Sequence, residues 1–182
     1  MRINEEEMKR QLHDPATRRA AFTDIVNAYS EKLYCQIRKM VLCHDDANDI
    51  LQDTFLKAWT NLDNFRGDAK ISTWMYKIAV NECITFLNRQ RAINNVPLDD
   101  TDVYLLDTLK ADDYFDGDEL DVKLQEAILL LPEKQRLVFN MKYYEDMKYE
   151  DMSEILGTSV GALKASYHHA VKKIETFLTK DI

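Results

Sequence analysis

The chain is predicted to be all-α, two small helical domains joined by an acidic linker. Three observations predict this. The 182 residues include only 4 Gly and 3 Pro, and helix-forming types dominate. Apolar residues recur at three- and four-residue steps over long stretches, which commits one face of each segment to a core. Acids crowd a single interval, Asn94 to Asp121, where ten carboxylates and Pro97 accompany Lys110 as the lone cation.

That interval explains the net charge of −8. It alone carries −9, which leaves residues 1–93 at +1 and residues 122–182 at 0. Acidity in one segment does not oppose contact with nucleic acid elsewhere. The longest aliphatic run, Ala127 to Leu131, is far shorter than the roughly 20 residues that span a bilayer. No charged-then-apolar leader opens the chain, so a cytoplasmic location is expected. Cys35, Cys43 and Cys83 show neither a paired count nor zinc-ligand spacing, and buried small hydrophobes are the expectation, with no metal and no cofactor.

Residues 1–14 are charged and predict a frayed or short helical start. Asp14-Pro15 reads as a cap and first helical position. Ala21, Phe22, Ile25, Val26 and Tyr29, then Leu33, Tyr34, Ile37, Met40 and Val41, continue the helical period with a break expected near Tyr29-Ser30. The stretch from Asp45 to Arg91 organises this half as two amphipathic helices. In the first, Ala47, Ile50, Leu51, Thr54, Phe55, Ala58 and Leu62 point inward, Asp45 or Asp46 caps the start, and Asn48, Asp49, Gln52, Asp53 and Lys57 form the opposite face. The second, about Ile71 to Arg91, is apolar around most of its circumference. A polar stripe remains on it, formed by Lys70, Thr73, Lys77, Asn81 and Asn88, with Arg89 and Arg91 at its end. Trp74 and Tyr76 stand beside that stripe, and an exposed turn, Phe65-Arg66-Gly67, precedes it. Cationic and amide groups in line with aromatic rings are what a surface needs to hold phosphates and stack bases. Together these helices predict a four-helix domain over residues 15–93.

Residues 94–118 form the acidic linker, although Val103, Tyr104, Leu105, Leu106, Tyr114 and Phe115 are more apolar than a plain spacer requires. A second domain spans residues 119–182. Val122 to Leu131 predicts one helix, closed by Pro132, and Glu133 to Tyr144 the next. Tyr149 to Leu156, a Gly157-Thr158-Ser159 turn and a long final helix then make a helix-turn-helix, with Gly157 as left-handed stop and Ser159 as the next cap. The buried face of the last helix is Val160, Leu163, Tyr167, Ala170, Val171, Ile174 and Leu178. Its outward face carries Gly161, Ala162, Ala165, His168, His169 and Lys172, flanked by Lys164, Ser166 and Lys173. Small residues let such a helix approach base edges and meet a thymine methyl, while Lys and Ser reach phosphates or acceptors.

The blocks DANDILQDTFLKAW, NFRGDAK, STWMYKIAVN and LPEKQRLVFNMKYYEDMKYEDMSEILGTSVGALK resemble, in order and spacing, the group 4 or extracytoplasmic-function (ECF) sigma factors of bacterial RNA polymerase, in the sigma-70 family. The resemblance covers roughly Ala20 to Phe177. It implies a sigma region 2 domain, a sigma region 4 helix-turn-helix domain, and a factor that directs core polymerase to promoters and helps to melt them. Asp49, Gln52, Asp53 and Lys57 would then face the clamp helices of the largest polymerase subunit, with the polymerase flap a further contact. Phe65, Arg66, Lys70, Thr73, Trp74, Lys77, Asn81, Arg89 and Arg91 would meet the −10 element. Ser159, Ala162, Lys164, Ala165, Ser166, His168, His169 and Lys172 would meet the −35 element. The residues of the linker fit a solvated tether, and the resemblance offers the alternative of a segment that threads the nascent-RNA channel; it further implies an anti-sigma factor as negative partner. No Ser-His-Asp set, Gly-rich phosphate loop or paired carboxylate pocket supports an enzyme. Two other readings stay open: a dimeric helix-turn-helix regulator, and a protein-binding helical adaptor.

Overall fold

The computed structural model describes residues 4–65, 67–94 and 119–179, and every regular element among them is helical. Arg66 and the linker at 95–118 lie outside the described residues.

The N-terminal start is a capped helix in its own right. In α1 (Glu5–His13) the Asn4 carboxamide accepts the Glu7 amide at 3.3 Å, and Glu5, Glu6 and Glu7 occupy the first turn, where the helix dipole favours carboxylates. Met8 and Leu12 fix it to the core. Asp14 does not start the next helix. Its carboxylate accepts the Ala16 amide at 2.9 Å in a turn, and α2 (Arg18–Val41) begins beyond it. The expected break at Tyr29-Ser30 is absent, because the Ser30 hydroxyl folds back onto the Val26 carbonyl at 2.5 Å and leaves the helix continuous. Leu42, in the left-handed region at φ 62°, ends α2.

The organising pair is α3 (His44–Thr60) and α4 (Ile71–Asn94), separated by a short 3₁₀ turn at Leu62–Asn64. The α3 cap residue is Cys43, which makes no capping bond, so Asp45 and Asp46 act from within the first turn and not as caps. Ile25, Leu33, Ile37, Ile71 and Met75 are fully buried where α2, α3 and α4 meet. Each such side chain is worth about 1.5–3 kcal/mol of transfer free energy before entropy is charged against it.

In the C-terminal half, α5 (Glu119–Leu129), α6 (Glu133–Tyr143), α7 (Tyr149–Leu156) and α8 (Val160–Thr179) pack around Ala127, Ile128, Leu131, Phe139, Ala170 and Ile174. The buried Arg136 guanidinium closes the α5–α6 corner by donating to the Leu129 carbonyl at 3.0 Å. The turn between α7 and α8 is as expected: Gly157 sits at φ 62°, and the Ser159 hydroxyl accepts the Ala162 amide at 3.3 Å.

The two halves are not insulated from each other. Leu129, Leu137, Val138, Met141, Met152, Ile155 and Leu163 belong to the same apolar cluster as the core of α1 to α4, with α7 against α4 and α6 against α2.

Candidate polymerase and DNA interfaces

A cleft of about 360 Å³ opens between α3 and α4. Asp49, Gln52 and Asp53 form one wall, Glu82, Thr85 and Arg89 the other, and Ile50, Leu56 and Phe86 give it an apolar floor. The wall residues of α3 are exposed because they follow the three- and four-residue steps opposite Ala47, Ile50, Thr54 and Ala58. Lys57, expected on this face, is exposed at its edge and pairs with Glu82 at 2.5 Å. Arg89, expected on the DNA stripe, lines this cleft instead. Leu56, 61% exposed, together with Glu82, Thr85 and Phe86, was not singled out from the sequence. The signal was there: Leu56 is a large apolar residue outside the buried period of α3.

The stripe on α4 is only partly as expected. Lys77, Asn81 and Asn88 are exposed along one line. Thr73 is only 4% exposed and belongs to the packed face. The turn before α4 also differs from expectation. Phe65 is 4% exposed, its ring 4.7 Å from that of half-buried Trp74, so these two aromatics pack on each other and Phe65 is not on the surface. Gly67, at φ 77°, has its carbonyl held by Lys9 at 2.6 Å. Lys70 bonds to Asp151 at 2.8 Å, and the hydrogen bond to that carboxylate raises the Lys70 pKa. Arg91 bonds to Glu133 at 2.6 Å with its side chain only 11% exposed. Tyr76 is buried with its hydroxyl 3.4 Å from Glu145; burial, reinforced by that carboxylate, pushes its pKa up.

On α8 the expected outward face is outward. Ser159, Ala162, Lys164, Ala165, His168, His169 and Lys172 are exposed and Ser166 is half-buried, while Ala170 and Ile174 hold the helix to α5 and α6 and Leu163 joins the larger cluster with Met152 and Ile155. The His168 and His169 rings lie 6.1 Å apart. An exposed helix second in a helix-turn-helix, with small residues in its first turns, can enter a major groove.

Comparison with known proteins agrees with this geometry. The Sigma-70 region 2 family matches residues 25–93 and the Sigma-70 region 4 family matches residues 121–174. The chain is 30% identical over 165 residues to RNA polymerase sigma factor SigV of Bacillus subtilis, covering 91% of this chain and 95% of that one. It is 31% identical over 156 residues to the ECF RNA polymerase sigma factor SigW of the same organism, covering 81% and 83%. The fold is similar to that of CnrH in complex with the cytosolic domain of CnrY, at a TM-score of 0.71 and 21% identity over 98% and 99% of the chains. It is also similar to sigma factor RpoE in complex with the anti-sigma factor NepR from Bartonella quintana, at a TM-score of 0.67 and 20% identity over 88% and 98%.

The chain therefore belongs to the ECF sigma factors of the sigma-70 family. Its function is that of a transcription-initiation factor, a subunit that binds core RNA polymerase and directs it to promoter DNA. Such factors are not enzymes in themselves. No described helix is long and apolar enough to cross a membrane.

Proposed function

We propose a division of labour among three surfaces. The α3–α4 cleft, through Asp49, Gln52, Asp53 and Lys57, docks on the clamp helices of the largest polymerase subunit. The Lys77 and Asn81 line, with Lys70, Trp74 and Arg91 nearby, captures an unpaired base of the −10 element. The exposed face of α8, from Ser159 to Lys172, reads the −35 element in the major groove. Capturing a base out of the stack offsets a few kcal/mol of the cost of melting, so binding itself opens the strands and no nucleotide hydrolysis by this subunit is needed. The chain works in the cytoplasm, and an anti-sigma factor is its negative partner. That partner is supported by one of the similar structures, which is of sigma factor RpoE in complex with the anti-sigma factor NepR.

The observation that carries this reading is how exposed chemistry is sorted among elements. Exposed carboxylates on α3 flank an apolar-floored cleft, and amides with a lysine line α4. Small residues, histidines and lysines line α8. Run-off transcription with purified core polymerase on a promoter library tests it. The wild-type chain is expected to create new start sites. The Asp49→Lys/Asp53→Lys variant should lose both transcription and polymerase pull-down while its far-ultraviolet circular dichroism stays unchanged. Pull-down retained by that variant would refute the docking face.

A further inference from the structure

Asp63, Gly67 and Ile71, spaced four apart along the turn that leads into α4, are each bonded from outside that turn. The Asp63 carboxylate accepts from the Arg18 guanidinium at 2.7 Å, and the Gly67 carbonyl accepts from the Lys9 ammonium at 2.6 Å. The Ile71 amide donates to the Glu5 carboxylate at 3.1 Å. Glu5 and Lys9 lie one turn apart on α1, and Arg18 opens α2. The Arg18 Nε also donates to the Leu12 carbonyl at 2.9 Å, and the Thr17 hydroxyl to the Gln11 carbonyl at 2.9 Å, which ties α1 to the start of α2. The aliphatic stem of Lys9 passes 3.2 Å from where a Gly67 Cβ would stand, so a side chain at 67 would press on that stem as well as strain a φ of 77°. Ile71 is the first residue of α4, whose leading amides have no partner within their own helix. Glu5 satisfies one of them from another helix, with its charge at the positive end of the α4 dipole. The Sigma-70 region 2 match begins at residue 25, beyond all three partners.

We propose that α1 braces the −10 surface: Glu5, Lys9 and Arg18 are positioning residues that fix the path of the turn into α4 and, through it, the choice of −10 base. The inference rests on the reading of the start of α4 as a −10 contact, and adds to it what holds that contact in shape. Lys70 adjoins the braced Ile71, and its carbonyl accepts the Trp74 amide at 3.0 Å. The Trp74 ring packs on Phe65, which lies between the bonds at Asp63 and Gly67. The 3₁₀ segment spans only Leu62–Asn64. A turn so short of regular structure, if unbraced, would have to be ordered when DNA binds, at a cost to affinity and to discrimination between bases. The three bonds place that cost in folding instead. They differ in strength. The Lys9 side chain is only 20% exposed and Glu5 is half-buried, so water competes poorly for their bonds. Asp63 is 77% exposed, where solvent screens its pair with Arg18. Glu5 and Lys9 are thus the principal braces.

The test uses holoenzyme assembled from core polymerase and the full chain, as wild type, as Glu5→Ala/Lys9→Met, and as Glu5→Gln/Lys9→Arg, which keeps an acceptor and a donor in place. Ile37→Val serves as a control that loosens the same core away from the turn. The template is the promoter that wild type uses best in the run-off library, with each −10 and each −35 base changed in turn, and preference is the ratio of transcript from the parent to that from the changed promoter. In Glu5→Ala/Lys9→Met the −10 preference should fall at least about fivefold, while −35 preference and polymerase pull-down stay within about twofold of wild type. Glu5→Gln/Lys9→Arg should regain at least about half of the lost preference, and Ile37→Val should match wild type within about twofold. An unchanged −10 preference in Glu5→Ala/Lys9→Met overturns the inference, as does an equal loss at −10 and −35 or a conservative variant that regains nothing. Hydrogen exchange on the free chains reads the brace without a promoter. Amides of residues 67–72 should exchange at least about tenfold faster in Glu5→Ala/Lys9→Met than in wild type or Ile37→Val, and equal exchange overturns the brace. Should that variant unfold by circular dichroism, Lys9→Met alone, which leaves the Glu5 bond in place, is read by the same criteria. Lys77→Ala/Asn81→Ala separates the two readings. If it keeps the −10 preference, the −10 assignment fails; if it loses that preference while Glu5→Ala/Lys9→Met keeps it, the brace alone fails.

Discussion

Gly157 occupies the left-handed region at φ 62°, with nothing within 4 Å of where a Cβ would stand. A substitution there meets backbone strain and no steric clash, so Gly157→Ala should cost about 1–2 kcal/mol, read as a lower urea midpoint with an unchanged slope. Phe65 is the opposite case, a side chain that matters through what it touches. Its ring is buried against Trp74, and Phe65→Ala should cost about 3–5 kcal/mol by the same measurement. A loss below about 1 kcal/mol would mean that the ring is not part of the core. The Gly157 turn was legible because its cause is local. The burial of Phe65 was not, because Phe65 meets Trp74 only when the turn folds onto α4. Thr73 shows a similar limit. At 100° per residue it lies about 60° from Lys70 and 40° from Lys77 around the helix, and that displacement carries it from the stripe to the packed face.

At the level of helices, periodicity carried most of the information. The bounds of α3, α4, α7 and α8 follow apolar steps and turn chemistry, and the exposed side of α8 follows by subtraction of Leu163, Ala170 and Ile174. Lys164 and Lys172 are both exposed on that side. In the holoenzyme, Lys164→Ala/Lys172→Ala should weaken promoter binding evenly across sequences and lower the salt slope by roughly 0.9 for each phosphate left unneutralised, whereas His169→Ala should alter sequence preference. A salt titration of promoter affinity over several −35 variants distinguishes the two. The continuity of α2 through Tyr29-Ser30 was less legible, since a serine can either end a helix or bond back within it, as the Ser30 hydroxyl does. Arg89 was likewise assigned by its neighbours in sequence. The approach of α3 places it in the acidic cleft.

Over the whole molecule, several groups hold their protons more tightly when folded. Burial raises the pKa of Tyr29, Tyr76, Tyr144, Tyr167 and the Cys83 thiol. Hydrogen bonds to Asp151 and Asp146 raise those of Lys70 and Lys142. A raised folded-state pKa contributes stability that is complete below the unfolded value and fades as pH climbs towards the folded one. The loss should therefore begin near about pH 8.5 for the thiol and near about pH 10 for the tyrosines and lysines. On the acid side, Glu7 and Asp146 are lowered by Arg10 and Lys142, but Asp146 is exposed and Glu7 partly so, solvent screens both pairs, and they contribute little. The melting temperature is expected to fall steadily from about pH 8.5 to pH 11, with tyrosinate absorbance rising alongside unfolding. A midpoint that holds level to pH 11 would contradict this. Tyr76 and Lys70 lie at the interface of the two halves, so that contact should loosen within the same range.

By itself the sequence determined the helical class, the helix-turn-helix and the outward face of its second helix, the acidic face of α3 and the family. Each is written in short-range spacing: the 3.6-residue period, a glycine at a left-handed stop, a cap, a block of residues in order. Only the tertiary structure decided that Phe65 and Thr73 are buried, that Arg89 belongs to the cleft, and that Glu133, Glu145 and Asp151 close on Arg91, Lys39 and Lys70. The ion pairs join residues far apart in the chain, and the others depend on how a turn or a neighbouring helix folds against α4. A local period states which way a side chain points from its own helix, and the packing of helices states what it meets there.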